Sequence, residues 1–259
     1  MTIVDDEQFP EWNGFAAAVQ ARRPDAGTWC EAWTIRDIVI HQTGNAHELA
    51  RVLAGHLSGE PVETRAFEER EAPYRAMNDA DLWDALTSQM AQLGEVAGAG
   101  ANLPADTDVA WTGRTMKVPW FAEHMREELV LHGWDITGDL SGEGAVAQAQ
   151  LSEPWMTEHS VEAVGRPLLR RGVAELGLGA GDRVEARLRV VDGDDVIVSA
   201  AAESTDIAVG PIYGDATLET DAAARVLLLW GRRPGDPSRV CSRVGPEALG
   251  RVRTLLSGY

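Results

Sequence analysis

Histidines that follow an acidic residue by four positions are the first features of this sequence that could do chemistry. Residues i and i+4 of a helix share one face, so such a pair can act on one ligand. The spacing occurs twice, as Asp37 with His41 and as Glu128 with His132. Imidazole and carboxylate groups together form many divalent-metal sites. The two pairs therefore indicate where a metal-dependent reaction could take place.

A structural role at a helix start explains the acidic residue of the first pair, but not that of the second. Thr34 precedes Asp37 by three residues, which is typical of a capping box at a helix start. Glu128 and His132 instead lie in the middle of the apolar stripe of their helix. A carboxylate inside a helix bundle is unfavourable unless a positive group pairs with it, and a divalent cation is one such partner. A Glu–His pair hydrogen-bonded to itself or to an arginine is the alternative.

A catalytic metal site usually has three protein ligands and one open position, so another helix must supply the third. His41, at the flank of its apolar stripe, has the best position. His56 stays an alternative from periodicity alone, and His124, one turn before Glu128, could also approach a metal. His47 faces away from the stripe. Glu127 lies off the stripe of its own helix and is expected to be a solvated surface acid.

Four amphipathic segments in the first 140 residues carry these side chains. Apolar residues recur at spacings of three and four over residues 7–23, 34–57, 79–97 and 119–137, and the glycine-rich stretch 98–100 is expected to end the third segment. Pro119 suits the first turn of the fourth helix, and Gly138 follows its end. Residues 58–78 are expected to form a long charged connection. The sequence thus predicts a four-helix bundle.

The pattern changes after a stretch of small residues over 141–147, which predicts a flexible boundary between domains at 1–142 and 149–259. A further helix is predicted over 154–176. Alternating residues at 184–190 and 196–202, around a turn at 192–195, predict a β-hairpin. Helices are predicted over 221–230 and 247–256. The second domain is therefore expected to be α+β.

Composition excludes several classes of protein. The 23 basic and 41 acidic residues give a net charge of −18, which disfavours nucleic acids and anionic membranes as partners. Cys30 and Cys241 are too few for a disulfide framework or a thiolate-rich zinc site. The first ten residues are acidic where a signal peptide would be basic and then apolar, and no window is apolar enough to span a membrane. We expect a cytoplasmic protein that acts on small molecules.

The motifs around the candidate ligands carry a family resemblance. Residues 33–41 (WTIRDIVIH) and 128–136 (ELVLHGWDI) resemble the mycothiol-dependent maleylpyruvate isomerase family of the DinB-like superfamily. Residues 227–232 (LLLWGR) resemble the small, sterol-carrier-like C-terminal domain of that family. The resemblance implies a DinB-like four-helix bundle whose divalent metal, usually zinc, is held by His41, Glu128 and His132. Glu31-Ala32 and Gln42 depart from the common pattern and leave the substrate open.

The resemblance also implies mycothiol as a thiol cosubstrate. A metal with an open position lowers the pKa of a thiol, and neither cysteine of the chain lies in a cluster of possible ligands. The expected activity is that of an isomerase or S-transferase acting on a small electrophile such as maleylpyruvate or a specialised metabolite. One alternative is a protein that binds an apolar ligand and has a structural metal. Another is a thiol-independent metal lyase or hydrolase.

Arg232 is the predicted catalytic residue of the second domain. It follows Gly231 at the end of an apolar helical run, and its guanidinium could bind an acidic substrate or the enolate formed from it. An arginine that meets the negative end of a helix dipole is the structural alternative. Arg225 and Arg233 compete for the same role.

Overall fold

The computed structural model describes residues 4–112, 114–139 and 143–256. Backbone contacts divide the chain into two compact units, Met1–Thr137 and Gly138–Tyr259, whereas the sequence predicted the boundary at residues 143–148. The first unit is helical with a small hairpin, and the second carries a sheet and helices. The predicted fold class, helical and then α+β, is confirmed. No helix in the described ranges is both long and apolar enough to cross a membrane.

The first unit is built around four packed helices. Its described elements are α1 (Trp12–Gln20), α2 (Ile35–Leu57), α3 (Phe67–Arg75), α4 (Asp79–Gly100), β1 (Asp108–Trp111), β2 (Arg114–Lys117) and α5 (Trp120–Thr137). Helix α2 packs against α4 and α5, and α1 packs against α5. Ile38, Leu49, Leu86 and Phe121 lie in their shared apolar core. Helix α1 is shorter than predicted because Pro10 cannot donate a hydrogen bond inside a helix.

Helix α2 begins where the sequence predicts it to begin. Thr34 Oγ1 accepts a hydrogen bond from Asp37 N at 3.2 Å, and Asp37 Oδ2 accepts one from Thr34 N at 2.9 Å. This reciprocal pair is the predicted capping box. It gives Asp37 a structural role and fixes the start of the helix that carries His41.

The charged connection predicted over residues 58–78 is in part wrong, because it contains α3. The buried residues of this helix are Arg70, Glu71 and Tyr74, so it has no apolar stripe that periodicity could detect. Its contacts with α2 stabilise it instead. The β1–β2 hairpin, in which Asp108 pairs with Lys117, was also missed because its strands have only four residues each.

The second unit is an α+β layer structure. Its described elements are α6 (Glu143–Leu151), α7 (Pro154–His159), α8 (Gly165–Leu176), β3 (Arg183–Val190), β4 (Gly193–Ala201), β5 (Ser204–Gly210), β6 (Leu218–Thr220), α9 (Ala222–Leu229), β7 (Val240–Ser242) and α10 (Pro246–Leu256). The sheet order is β5-β4-β3-β6-β7, with β3 and β6 parallel and the other neighbours antiparallel. Helices α8, α9 and α10 pack against its strands.

Several predictions for the second unit are confirmed. Val184, Ala186, Leu188 and Val190 of β3 are buried, as their alternation predicts, and β3 pairs with β4 in the predicted hairpin. The turn of this hairpin lies at residues 191–192, and residues 193–195, which were predicted as turn, belong to β4 because Val190 pairs with Gly193. The helix predicted over 154–176 is α7 and α8 joined by a π-helical turn, Ser160–Val164. Strands β5, β6 and β7 were missed. In β5 only one residue is buried, and β6 and β7 are too short for alternation to be visible.

The flexible segment predicted over 141–147 is in part helical. Residues 141 and 142 lie outside the described residues, and residues 143–147 belong to α6. Ala147 and Leu151, four positions apart, are buried on one face of that helix. Small residues therefore mark a packed helix here, because alanine has a high helix propensity as well as a small side chain.

Glu48 is a buried carboxylate of α2 that two arginines neutralise. Arg51 Nη2 donates to Oε1 at 2.7 Å, and Arg65 Nε donates to Oε2 at 2.7 Å. Burial by itself raises the pKa of Glu48, but the hydrogen bonds from Arg51 and Arg65 outweigh burial and lower the pKa to about 2. Glu48 thereby ties the segment between α2 and α3 to the bundle.

We expect Glu48→Gln to lower the free energy of unfolding at pH 7 by about 1–3 kcal/mol, because the buried charge that both guanidinium groups contact is lost. The folded-state pKa lies below the ordinary value of 4.5, so the stabilisation is present above pH 4.5 and disappears as the pH falls toward 2. Denaturant unfolding from pH 7 to about pH 2 measures the difference, which should shrink at low pH.

The matched control is Glu60→Gln, which changes an exposed acid of the same segment and should leave the unfolding free energy unchanged. Equal stability of Glu48→Gln and the wild type at pH 7 would contradict this account of the segment.

Candidate metal centre

His41 of α2 and Glu128 and His132 of α5 meet at one point in the first unit. The Nε2 atoms of His41 and His132 lie 3.5 and 3.3 Å from Glu128 Oε2. The three residues are 6%, 4% and 3% exposed, and their ligand atoms lie within 4.8 Å of one another. The structure thus brings together the three residues predicted as ligands, which we call the triad.

The separations within the triad fit a tetrahedral metal. Ligand bonds of about 2.0–2.1 Å place two ligand atoms about 3.3–3.4 Å apart. The distances of 3.5 and 3.3 Å match that spacing and exceed the about 2.7–3.2 Å of ordinary hydrogen bonds. Two imidazoles and one carboxylate suit zinc, and also nickel, cobalt or iron. The triad could therefore hold a divalent metal and leave a fourth position open.

A carboxylate lies behind each imidazole of the triad. Glu71 Oε1 is 3.0 Å from His41 Nδ1, and Asp135 Oδ2 is 2.8 Å from His132 Nδ1. The contact of Glu71 with His41 is a hydrogen bond, and a carboxylate at Nδ1 favours the tautomer of His41 whose Nε2 carries the lone pair that binds a metal. Sequence reasoning missed both acids. The three-residue spacing of His132 and Asp135 could have revealed one, but Glu71 lies 30 positions from His41 and gave no signal.

Helix α3 brings Glu71 to the triad through polar contacts with α2. Arg70 Nη1 donates to Asn45 Oδ1 at 3.3 Å, and Tyr74 Oη lies 2.8 Å from His47 Nδ1. Gly44 permits the close approach, because a Cβ there would lie 3.2 Å from Glu71 Cγ and 3.3 Å from the backbone oxygen of Arg70. The position of Glu71 therefore depends on how α3 docks.

The charges of the triad stabilise one another. Burial by itself lowers the pKa of His41, but the contacts with Glu128 and Glu71 outweigh burial and raise the pKa above its ordinary value. Burial likewise raises the pKa of Glu128, whereas contacts with His132 and His41 hold the pKa well below its ordinary value. Glu128 is therefore ionised at neutral pH and can act as an anionic ligand.

Aromatic rings flank both imidazoles. Trp33 stacks on His132 with ring centroids 5.7 Å apart and planes 8° apart, and it meets the edge of His41 at 5.1 Å. Phe67 stacks on His41 at 5.6 Å. Phe67 is 42% exposed although it is large and apolar. The rings restrict rotation of the imidazoles and shield them from water.

The other histidines of the bundle do not join the triad in the same way. His124 Nε2 lies 3.7 Å from the other oxygen of Glu128. His47 contacts Tyr74, as described above. His56 follows His41 by 15 residues on one helix, a rise of about 22 Å. The distance rules out His56 as a ligand together with His41.

Glu127 corrects one expectation from the sequence. It was expected to be a solvated surface acid, but its exposure is 0%. The apolar stripe in the sequence predicted a solvated opposite face for α5, whereas 14 of the 18 residues of α5 are buried. A helix packed on nearly all sides has no solvated face on which to place a polar residue.

Arg232 lies in the second unit, directly after α9. Gly231 has φ of +73°, and Arg232 N donates to Leu227 O at 2.8 Å while Gly231 N donates to Leu228 O at 3.1 Å. These two bonds form a Schellman motif, so Gly231 ends the helix as predicted. Arg232 Nη1 also donates to Trp230 O at 3.2 Å. The catalytic role of Arg232 stays a prediction.

Comparisons with known proteins identify the family and the fold of the chain. A family model described as the mycothiol maleylpyruvate isomerase N-terminal domain matches residues 6–137. Crystal structures of the mycothiol-dependent maleylpyruvate isomerase and of its histidine-to-alanine mutant resemble the chain with TM-scores of 0.58 and 0.59. Each is 17% identical, and 93% of either chain is covered. At that identity the likeness shows the fold. No curated protein matches the chain.

We expect Glu71→Gln to weaken zinc binding by about 10–100-fold, because an amide holds the Nδ1 proton of His41 less strongly than a carboxylate does. Competition with a chromophoric chelator measures the dissociation constant. Glu68→Gln changes an exposed acid of the same helix and should bind zinc like the wild type. Unchanged zinc affinity in Glu71→Gln would show that α3 has no part in the metal centre.

Proposed function

Because the chain belongs to the mycothiol maleylpyruvate isomerase N-terminal domain family, which is named for an enzyme, we propose that it is a metal-dependent enzyme that uses mycothiol. The reaction is the isomerisation of a small electrophile of the maleylpyruvate type, or transfer of the thiol to one. The observation that carries the proposal is the triad of His41, Glu128 and His132, with both Nε2 atoms at metal-ligand separation from one carboxylate oxygen.

The residues of the triad would hold one divalent ion, with zinc as the proposed metal. When bound, such an ion supplies Lewis acidity that lowers the pKa of a nearby thiol toward neutrality. Glu71 orients the imidazole of His41 through the hydrogen bond at Nδ1, and Asp135 Oδ2 lies 2.8 Å from Nδ1 of His132. Trp33 and Phe67 keep water from the imidazole rings. These groups prepare the site before any ligand arrives, which reduces the reorganisation that a reaction would require.

The thiol would come from a small molecule. Cys241 lies in β7 of the second unit, where Sγ donates to Ser238 O at 3.1 Å. Cys30 lies in the segment that precedes α2. Neither is among the described residues that meet at the triad. A cosubstrate thiol such as mycothiol therefore fits the chemistry better than a nucleophile from the chain.

We expect the zinc-loaded protein to isomerise maleylpyruvate, or a related electrophile, only when mycothiol is present. Removal of the metal with a chelator should abolish turnover, and zinc should restore it. Elemental analysis should find about one equivalent of metal in the purified protein. Absorbance assays across a panel of electrophiles, with and without mycothiol, measure the dependence.

One variant and its control test whether turnover depends on the triad. Glu128→Ala should lose both metal and turnover, while Glu95→Ala, which changes an exposed acid of α4, should keep both. Turnover that persists without any thiol would replace the proposal with a thiol-independent lyase or hydrolase. Binding of an apolar ligand that is unaffected by metal removal, with no turnover, would indicate a binding protein with a structural metal.

Arg232 is proposed to bind the acidic group of the substrate. A fixed guanidinium contributes about 1.5–3 kcal/mol through a charge-assisted contact, so Arg232→Ala should lower kcat/KM by about tenfold or more. Metal content and Tm should stay close to wild type. The competing Arg225 donates to Asp194 O at 2.7 Å and to Thr157 Oγ1 at 3.3 Å, which gives it a structural role.

Arg233→Ala is the matched control, because Arg233 is an exposed neighbour of the same charge. Steady-state kinetics of both variants decide the assignment. Wild-type kcat/KM in Arg232→Ala would leave Arg232 with only its role at the end of α9, and a loss confined to Arg233→Ala would move the substrate contact to Arg233.

A further inference from the structure

Gln42 is a polar residue beside the triad that the proposed chemistry does not use. It follows His41 on α2, and its exposure is 0%. Its Nε2 donates to Glu128 Oε2 at 3.3 Å. The same oxygen faces the imidazoles of His41 and His132. Gln42 is therefore in contact with the centre of the triad from within the bundle.

The contact with Glu128 fixes which way the amide of Gln42 points. An ionised carboxylate oxygen only accepts hydrogen bonds, so the amide nitrogen must face it and the amide oxygen must face elsewhere. No donor among the described residues reaches Gln42 Oε1, and this oxygen is buried. Because Nε2 of Gln42 faces Glu128, the carbonyl oxygen Oε1 is left without a partner among the described residues.

A buried acceptor without a partner costs free energy, so native proteins rarely keep one without a reason. Ile38, Val39, Ala46 and Leu49 surround this position along α2, and all are apolar core residues. An apolar side chain at position 42 would avoid the cost. Other buried atoms of the described residues also lack a protein partner, Gln89 Oε1 among them, so it is the contact of Gln42 with Glu128 that points to a partner bound at the triad.

We propose that Gln42 is a specificity-determining residue, anchored by Glu128 through its amide nitrogen, whose Oε1 accepts a hydrogen bond from an O–H or N–H group of a small molecule bound at the triad. The inference rests on the proposed metal-centred function and deepens it. It assigns the ligand a donor group beside the atom that occupies the open metal position. A ligand that lacks such a group leaves Gln42 Oε1 unsatisfied and binds less tightly.

The test is binding to zinc-saturated protein, measured by calorimetry with two probes. One probe is mycothiol, and the other is acetohydroxamate, a metal-binding anion whose N–H group is a hydrogen-bond donor. Gln42→Met keeps the approximate volume and removes both polar ends, and we expect it to raise the dissociation constant of each probe that binds by about tenfold. Zinc saturation is verified for each protein, so a change in metal affinity does not enter the comparison.

The matched control is Gln89→Met on α4, which removes another glutamine whose Oε1 has no partner among the described residues but which is not part of the triad. It should bind both probes like the wild type. If Gln42→Met does not fold, Gln42→Leu replaces it. Unchanged affinity in the Gln42 variant would overturn the inference, because the carbonyl oxygen would then face no ligand.

The two probes separate the failure of this inference from the failure of the proposed function. If mycothiol does not bind to the zinc-loaded wild type, the proposed use of mycothiol is wrong. The affinities of the wild type and of Gln42→Met for acetohydroxamate then still test the role of Gln42. If mycothiol binds equally tightly to the wild type and to Gln42→Met, the proposed function is supported and the proposed role of Gln42 is wrong.

Discussion

The burial of the Glu128 carboxylate inside a helix bundle is the constraint on which the first unit depends. A lone carboxylate at 4% exposure would be strongly unfavourable, so other groups must approach it. Two imidazoles and one amide converge on a single oxygen of Glu128. That convergence requires α2 and α5 to keep a fixed register over several turns. The apolar core around them supplies the required rigidity.

Glu48 of α2 and Glu128, which contacts α2, are both buried carboxylates, and the contrast between them shows what makes one a structural element and the other a candidate site. Glu48 is bound by Arg51 and Arg65, whose guanidinium groups keep their charge at any working pH. The charge of Glu48 is therefore compensated at every working pH. Glu128 is faced by imidazoles, which can be neutral ligands or cations depending on what is bound. The positive charge around Glu128 can therefore change when a ligand binds, whereas the positive charge around Glu48 cannot.

Apart from Asp135 of α5, the residues that surround the triad come from segments outside the four bundle helices. Trp33 lies just before the capping box of α2, and Phe67 and Glu71 belong to α3. Helix α3 docks through polar contacts rather than an apolar stripe. The bundle thus sets where the ligand atoms lie, while less regular segments set how the imidazoles are oriented and how far water can approach.

The sequence alone determined the elements and contacts that local rules govern. The capping box of Thr34 and Asp37, the alternation in β3 and the i,i+4 pair of Glu128 and His132 all depend on neighbours in sequence. The helical pattern favoured His41 as the third ligand, and the family resemblance selected it over the other histidines. Only the tertiary structure revealed α3, the role of Glu71, and the burial of Glu127. Glu71 and His41 are 30 positions apart, and such a contact leaves no periodic trace in the sequence. It exists because packing brings the two helices together.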